Sequence, residues 1–354
     1  MIRTDLPLVS IVTPVYNGER YLEECIDSIL AQTYTHWEYT IVNNRSSDKT
    51  AEIAERFAKR DKRIHVHNND VFLDIIANHN HAFSLISPDS KYCKVVSADD
   101  FMFPECLARM VELAEAHPSV GIVGAYQLSG VDEEWYVRCT GLPYWRTVVN
   151  GKEICRLHLL GRLNVFGAPT ANLYRGDLIR SSDAFFPNPR AEADVSACVK
   201  HLRDTDFGFV HQVLSYERCH NERITTTSRS LDAYISSKIS DLLAYGSEYL
   251  TVSEQEKRLS ELLDEYYSHL AIAAVNFRDH TYWRFQKGRL DEFGVSLDRI
   301  RLGKAICAKL LDLWLSPRET FNKVVRRWRG RVYQSRASVI ATEGCGCEVG
   351  AAKP

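Results

Sequence analysis

Between Leu8 and Tyr126, short runs rich in β-branched residues alternate with segments whose apolar residues recur at helical spacing, and this rhythm restricts the fold most. The runs are Leu8–Thr13, Tyr39–Val42, Ile64–His67, Tyr92–Val96 and Gly121–Tyr126. Tyr21, Leu22, Cys25, Ile26, Ile29 and Leu30 mark one face of the first helix, and Ala51–Ala58, Ile75–Ile86 and Leu107–Ala114 supply three more. Strands separated by helices cannot close as tight hairpins; they join through right-handed crossovers. The spacing therefore predicts an α/β fold, a mostly parallel sheet flanked by helices. After Leu128 the rhythm changes. Trp135–Cys139 alternates like an exposed strand, Asp194–Leu202 reads as a helix, and Phe207–Val210 and Val213–Tyr216 read as two short strands. From Leu231 onward the pattern is helical almost throughout. We expect a catalytic domain over 1–228, a C-terminal helical extension over 229–334, and a small, polar, Gly-rich disordered tail over 335–354.

The run Tyr92–Val96 ends in Ser97-Ala98-Asp99-Asp100, and helix signals resume at Pro104, which suits a first helical turn. Two adjacent carboxylates at the carboxyl end of a buried strand lie where open α/β sheets bind ligands. Hard oxygen donors there favour Mg²⁺ or Mn²⁺ shared with a substrate phosphate. Locally a second role is equally open, since aspartate commonly caps the helix that follows it.

Composition narrows the partners. The net charge of −2 gives no bulk attraction to nucleic acid. It is unevenly spread: Arg299 to Arg331 holds ten Lys/Arg against Asp312 and Glu319, a local +8 that leaves −10 for the remainder. Ten cysteines are scattered without a Cys-x-x-Cys pair, and Cys345-Gly-Cys347 is too tight for zinc. With no secretory signal at the start, these thiols point to a reducing cytoplasm. No apolar run approaches the ~20 residues that span a bilayer.

The first strand ends in Thr13-Pro14-Val15-Tyr16-Asn17-Gly18-Glu19, where an aromatic ring and free backbone N–H groups can embrace a nucleotide base, or Tyr16 can simply pack against its neighbours. Val9 to Leu30 (VSIVTPVYNGERYLEECIDSIL), followed by AQTY and IVNNRSSDKT, resembles the opening of the family 2 inverting glycosyltransferases. The resemblance runs from about Pro7 to about Thr225 and is specific because several motifs fall in order: the strand-one turn, the turn after strand two, the aspartate pair and a later acidic cluster. It implies the GT-A fold and the transfer of a sugar from a nucleotide-sugar donor to an acceptor hydroxyl.

Carried over residue by residue, the resemblance assigns Pro14, Tyr16, Asn17 and Glu19 to the surroundings of the base and ribose. Asn43 stands where the family usually has a base-contacting aspartate; an amide keeps the contact but loosens the preference for uracil. Asn78 and Asn80 fall where polar residues contact the donor, and Asp48 is implied to be structural. Ser97 replaces a common acidic residue, leaving Asp100 as metal ligand and Asp99 to contact ribose or the metal's hydration shell. In Glu192-Ala193-Asp194 the resemblance implies the catalytic base, with Asp194 favoured and Glu192 the substitute; without it, two acids supporting a helix N-terminus is the simpler reading. His220 follows the last core strand, where the resemblance implies a residue that reaches the diphosphate or metal; on the residues alone, a lone histidine in a loop is simply exposed.

In the basic C-terminal stretch, Ile300, Ile306, Leu310, Leu313 and Trp314, then Phe321 to Trp328, recur at helical spacing beside Lys/Arg. This fits either a helix lying on an anionic membrane or one packed on the enzyme with a solvated basic face. The processive synthases of the family that the chain resembles carry a Gln-x-x-Arg-Trp motif and spanning helices; neither is present, so the resemblance implies single-sugar transfer rather than polymerisation. The expectation is a cytoplasmic enzyme of glycan or polysaccharide biosynthesis at the inner face of a membrane, using a UDP-sugar, Mn²⁺ or Mg²⁺, and a glycan or lipid-linked saccharide acceptor. Asn43, Ser97 and the spaced acids keep a non-catalytic nucleotide-sugar-binding relative open as the alternative. A nicotinamide dehydrogenase is excluded, because no Gly-x-Gly-x-x-Gly follows any expected strand.

Overall fold

The computed structural model describes residues 6–131, 134–139, 141–187, 192–219, 231 and 233–315. His220, the boundary expected at 228/229, the basic residues beyond Leu315 and the tail from Ser335 all lie outside the described residues. The chain forms two compact units, Met1–Leu263 and Asp264–Pro354.

The first unit opens with β1 (Val9–Val15), α1 (Leu22–Leu30), β2 (Trp37–Asn43), α2 (Thr50–Ala58), β3 (Ile64–Asn68), α3 (Ile75–Ser84) and β4 (Tyr92–Val95). Next come β5 (Phe101–Met102), α4 (Cys106–Ala116), β6 (Val120–Val131), β7 (Glu134–Arg138), β8 (Val148–Val149) and α5 (Gly151–Leu159). A 3₁₀ turn (Pro169–Ala171), β9 (Asn172–Arg175), α6 (Gly176–Arg180), α7 (Ala193–His201), β10 (Asp206–Arg218) and α8 (Ala233–Tyr249) complete the order, before α9 (Val252–Val275) crosses the unit boundary.

The described strands form one sheet in the order β3-β2-β1-β4-β9-β6-β10-β5, with β7 against β6 and β8 against β10. The pairs β3/β2, β2/β1, β1/β4 and β6/β10 are parallel, while β9 is antiparallel to both its neighbours. This is the mostly parallel, helix-flanked sheet that the alternation predicts. Leu22, Cys25, Ile26 and Ile29 of α1, Ala54 and Phe57 of α2, and Leu107, Met110 and Val111 of α4 close one core with Ile11, Tyr39 and Ile41. Full burial of one such aliphatic side chain contributes roughly 1.5–3 kcal/mol, so the helical stripes and the β-branched runs stabilise one another.

Two local expectations need correction. β1 runs two residues past the expected Leu8–Thr13, through Pro14 to Val15. Pairing with β4 stops at Val12↔Val95, so the N–H that proline lacks has no strand opposite it. Phe207–Val210 and Val213–Tyr216 are not two strands but one, the 13-residue β10. Register shifts at Val210/Val213 and Val213/Ser215 interrupt its alternation, and a bulge of that kind looks like a break when only the period is read.

In the second unit α10 (His280–Glu292) starts on an Asp279 cap whose carboxylate accepts from Tyr282 N at 2.9 Å. Tyr266 donates to Gln286 Oε1 at 2.6 Å, and Asp298 N donates to the Tyr267 hydroxyl at 2.8 Å. The last described helix is α11 (Arg299–Leu315), on which Ile300, Leu310, Leu311, Trp314 and Leu315 are exposed. Among the described residues no helix is long and apolar enough to cross a membrane.

Candidate active site

The strand-one turn is built by tying it to the turn after β2. Asn17 sits in the left-handed region at φ 51°, which asparagine tolerates. Its N–H donates to Ser46 Oγ at 3.0 Å, and its side-chain carbonyl accepts from Ser47 N at 2.8 Å. Gly18 N donates to Thr50 Oγ1 at 2.8 Å, and a Cβ there would stand 2.6 Å from Val15 Cγ2, so the turn has no room for a side chain. Asp48 accepts from Glu19 N at 3.0 Å and Thr50 N at 3.0 Å, while Glu19 accepts from Lys49 N at 2.9 Å. Desolvation raises the Asp48 carboxyl, but the Thr50 hydroxyl and the N–H groups of Glu19 and Thr50, all donating to it, hold it below its usual range. Tyr16 is half-exposed and meets Phe72 edge-to-face at 5.0 Å.

β4 delivers Asp99 and Asp100 to the same end of the sheet. Asp100 is 2% exposed; its Oδ2 accepts from the Thr170 hydroxyl at 2.7 Å and its Oδ1 from Arg218 N at 3.1 Å. Asp99 is partly exposed, and its carbonyl accepts from Arg218 Nε at 3.2 Å. Arg218 also donates to Glu24 at 2.6 Å and lies 4.5 Å from the centre of the Tyr21 ring, so the end of β10 is bolted to α1.

Glu192, at φ 64°, leads into α7, whose first turn carries Asp194. Burial pushes the Asp194 carboxyl up to about 6, although the Arg138 guanidinium and the backbone N–H groups of Asp194 and Val195 pull it down. Burial and the neighbouring Asp194 charge push Glu192 to about 7, with Lys238 opposing. Arg138 is in turn ion-paired to the buried Glu217, which also accepts from Ser129 Oγ at 3.0 Å.

One cleft of about 1120 Å³ is lined by Pro14, Tyr16, Asn17, Asn78, Asp99, Asp100, Glu192 and Asp194, which the fold therefore brings together. Glu19, Asn43 and Asn80 are not among its lining residues. Asn43 is buried beneath the turn, where its amide donates to Asn68 Oδ1 at 2.7 Å and its carbonyl accepts from Ser46 N at 3.1 Å. Asn80 clamps the main chain of Phe186, accepting from its N–H at 2.9 Å and donating to its carbonyl at 3.0 Å. Arg138, Glu217, Lys238, Asn44 and Phe72 also line the cleft and were not singled out in the sequence. Only the strand alternation at Trp135–Cys139 hinted at one of them, by setting Arg138 on one face with Tyr136.

The donor set at Asp99 and Asp100 consists of hard carboxylate oxygens, and among the described residues no group of three or more His, Cys, Asp or Glu is placed to hold a metal. Such a set fits Mg²⁺ or Mn²⁺ held jointly with substrate phosphates rather than in an all-protein cage.

Residues 10–181 match the sequence profile of glycosyl transferase family 2. The match covers just under half of the chain. EpsJ, an uncharacterized glycosyltransferase of Bacillus subtilis, is 37% identical over 134 residues, covering 37% of this chain and 38% of EpsJ. An uncharacterized glycosyltransferase of Haemophilus influenzae is 31% identical over 158 residues, 43% of this chain and 48% of its own length. The chain thus spans less than half the length of these curated relatives. The glycosyltransferase GlyG of Streptococcus pneumoniae is matched more widely, at 25% identity over 270 residues, 73% of this chain and 87% of GlyG. In three dimensions the chain is similar to S. aureus TarS 1–349, crystallised in complex with UDP-GlcNAc, with a TM-score of 0.59 at 17% identity over 90% of this chain and 92% of that 1–349 chain. At that identity the likeness concerns the fold, and it accords with the GT-A-like arrangement that the sequence resemblance implies.

Proposed function

We propose that this chain is a family 2 glycosyltransferase that transfers a single sugar from a UDP-sugar to an acceptor hydroxyl, with inversion at the anomeric carbon and with Mn²⁺ or Mg²⁺ assisting. The observation that carries the reading is the pair Glu192 and Asp194, raised to about 7 and about 6, in the same cleft as Asp99 and Asp100. A carboxylate poised near neutrality can take a proton from an alcohol as its oxygen attacks. Asp194 is assigned that part: it accepts the acceptor's proton while the oxygen approaches the anomeric carbon from the face opposite the departing diphosphate. Glu192 holds the adjacent position, and Arg138 keeps Asp194 ionised. Tyr16 and Phe72 flank the base at the mouth of the cleft, and Asn17 and Pro14 shape the ribose side. A divalent ion held by Asp99 and Asp100 together with the donor would stabilise the charge that accumulates on the leaving diphosphate. The complex of TarS, whose fold the chain shares, with UDP-GlcNAc favours a UDP-sugar.

A glycan or lipid-linked saccharide is the acceptor class, within polysaccharide biosynthesis. The exposed apolar residues of α11 beside Arg299, Arg301, Lys304 and Lys309 support peripheral contact with an anionic membrane. The burial of Asn43, with both ends of its amide engaged inside the protein, favours a second reading, a nucleotide-sugar binder without turnover. One experiment separates the two. The protein is screened against UDP-sugars with Mn²⁺ by thermal shift, and the stabilising donor is followed by NMR for slow hydrolysis. Release of UDP with an inverted sugar supports the enzyme; binding without release over hours supports the binder.

A further inference from the structure

Lys94, in the middle of β4, has no exposed surface, and its ammonium is directed at main-chain carbonyls. Nζ donates to Thr170 O at 2.7 Å and to Asn172 O at 3.1 Å. A buried ammonium is tolerated only where its donors are satisfied, and here they are satisfied by the 3₁₀ turn and the first residue of β9. The lysine thereby fixes the one turn that carries Thr170.

Thr170 is likewise fully buried and does not line the cleft. Its hydroxyl oxygen accepts from Ser97 N at 3.1 Å, which leaves its single proton to be given elsewhere. The proton goes to Asp100 Oδ2 at 2.7 Å; the other acceptor within reach, Ser97 Oγ, is at 3.5 Å and uncharged. With Arg218 N donating to Oδ1, the Asp100 carboxylate is held at both oxygens and cannot rotate.

We propose that Thr170 is the positioning residue for Asp100, and that Lys94 secures Thr170 by anchoring its turn. The inference rests on the proposed part of Asp100 in holding the divalent ion with the donor diphosphate. Partners that orient a metal-binding carboxylate typically change metal affinity ~10–100-fold when removed.

The test is calorimetric titration of Mn²⁺ into the full chain saturated with UDP, with thermal melts of each variant alongside. Thr170→Val keeps the shape but removes the hydroxyl, and is expected to weaken Mn²⁺ binding ~10–100-fold. Thr170→Ser restores the hydroxyl and is expected to restore the affinity. Lys94→Met, which frees the turn, shifts affinity in the same direction as Thr170→Val. Should Thr170→Val fail to fold, Thr170→Ala carries the test, since it removes the hydroxyl without setting a new methyl against the carboxylate. A merely structural Thr170 would lower the melting temperature of these variants yet leave Mn²⁺ affinity unchanged, and that outcome overturns the proposal alone. A wild-type chain that takes up no Mn²⁺ with UDP overturns the functional reading and this inference with it.

Discussion

Asp194→Asn tests the proposed base through stability as well as rate. The folded chain holds this carboxyl at about 6 against an ordinary 3.8. Between about pH 4 and about pH 6 the native state therefore keeps a proton that the unfolded chain has released, so stability falls as pH rises through that window and the deficit persists above it. A shift of about 2 units corresponds to ~3 kcal/mol, and solvent in the open cleft reduces this to roughly 1–3 kcal/mol. The asparagine variant carries no such charge. It should be more stable than wild type by roughly 1–3 kcal/mol at pH 8, which is of the order of 2–10 °C in melting temperature for a unit of this size. Below pH 4 the gain should vanish. Turnover of the same variant should drop by ~10²–10⁴, and the wild-type kcat/KM should rise with an apparent pKa near 6. Urea unfolding at pH 8 and pH 3.5, paired with a UDP-release assay, measures both. A variant that unfolds more easily at pH 8, or whose gain is equal at both pH values, refutes the argument that burial holds this carboxylate at a cost.

Glu192→Gln should retain most turnover; if it loses ~10²–10⁴ while Asp194→Asn stays close to wild type, the two carboxylates exchange roles. Asp100→Ala should abolish Mn²⁺-dependent donor binding in calorimetry, and unchanged affinity in Mn²⁺ would place the ion elsewhere. Phe72→Ala, which removes the ring against Tyr16, should weaken UDP binding by a factor on the order of 10 with kcat little changed. The full chain should co-sediment with anionic vesicles at low salt, be released by high salt and ignore neutral vesicles, at up to ~1 kcal/mol for each engaged Lys/Arg. Equal binding by a chain ending before Asp298 removes the membrane reading.

The sheet and the order of its parallel elements were legible because the signals are local: a period of two or of 3.6 residues is written into each short segment whatever packs on it. The aspartate pair was legible for the same reason, since a β-branched run ending in Asp99-Asp100 is a contiguous pattern. The strand-one turn was visible as a string of residues, yet its dependence on Asp48, Ser46 and Thr50 was not, because those bonds join positions about thirty apart. Longer separations hid more. Thr170 reaches Asp100 across 70 residues, and Arg138 meets Glu217 across 79. Asn43 and Asn80, which the resemblance set at the donor, spend their amides on protein partners: Asn43 on Asn68 and Ser46, and Asn80 on the main chain of Phe186. Residue type determined which chemistry was present in the chain. Whether a carboxylate is a cap, a structural tie or a base near neutrality depends on the charges and the solvent around it, and only the tertiary structure, by setting Arg138 near Asp194 and Lys238 near Glu192 and partly burying both carboxylates, decided that.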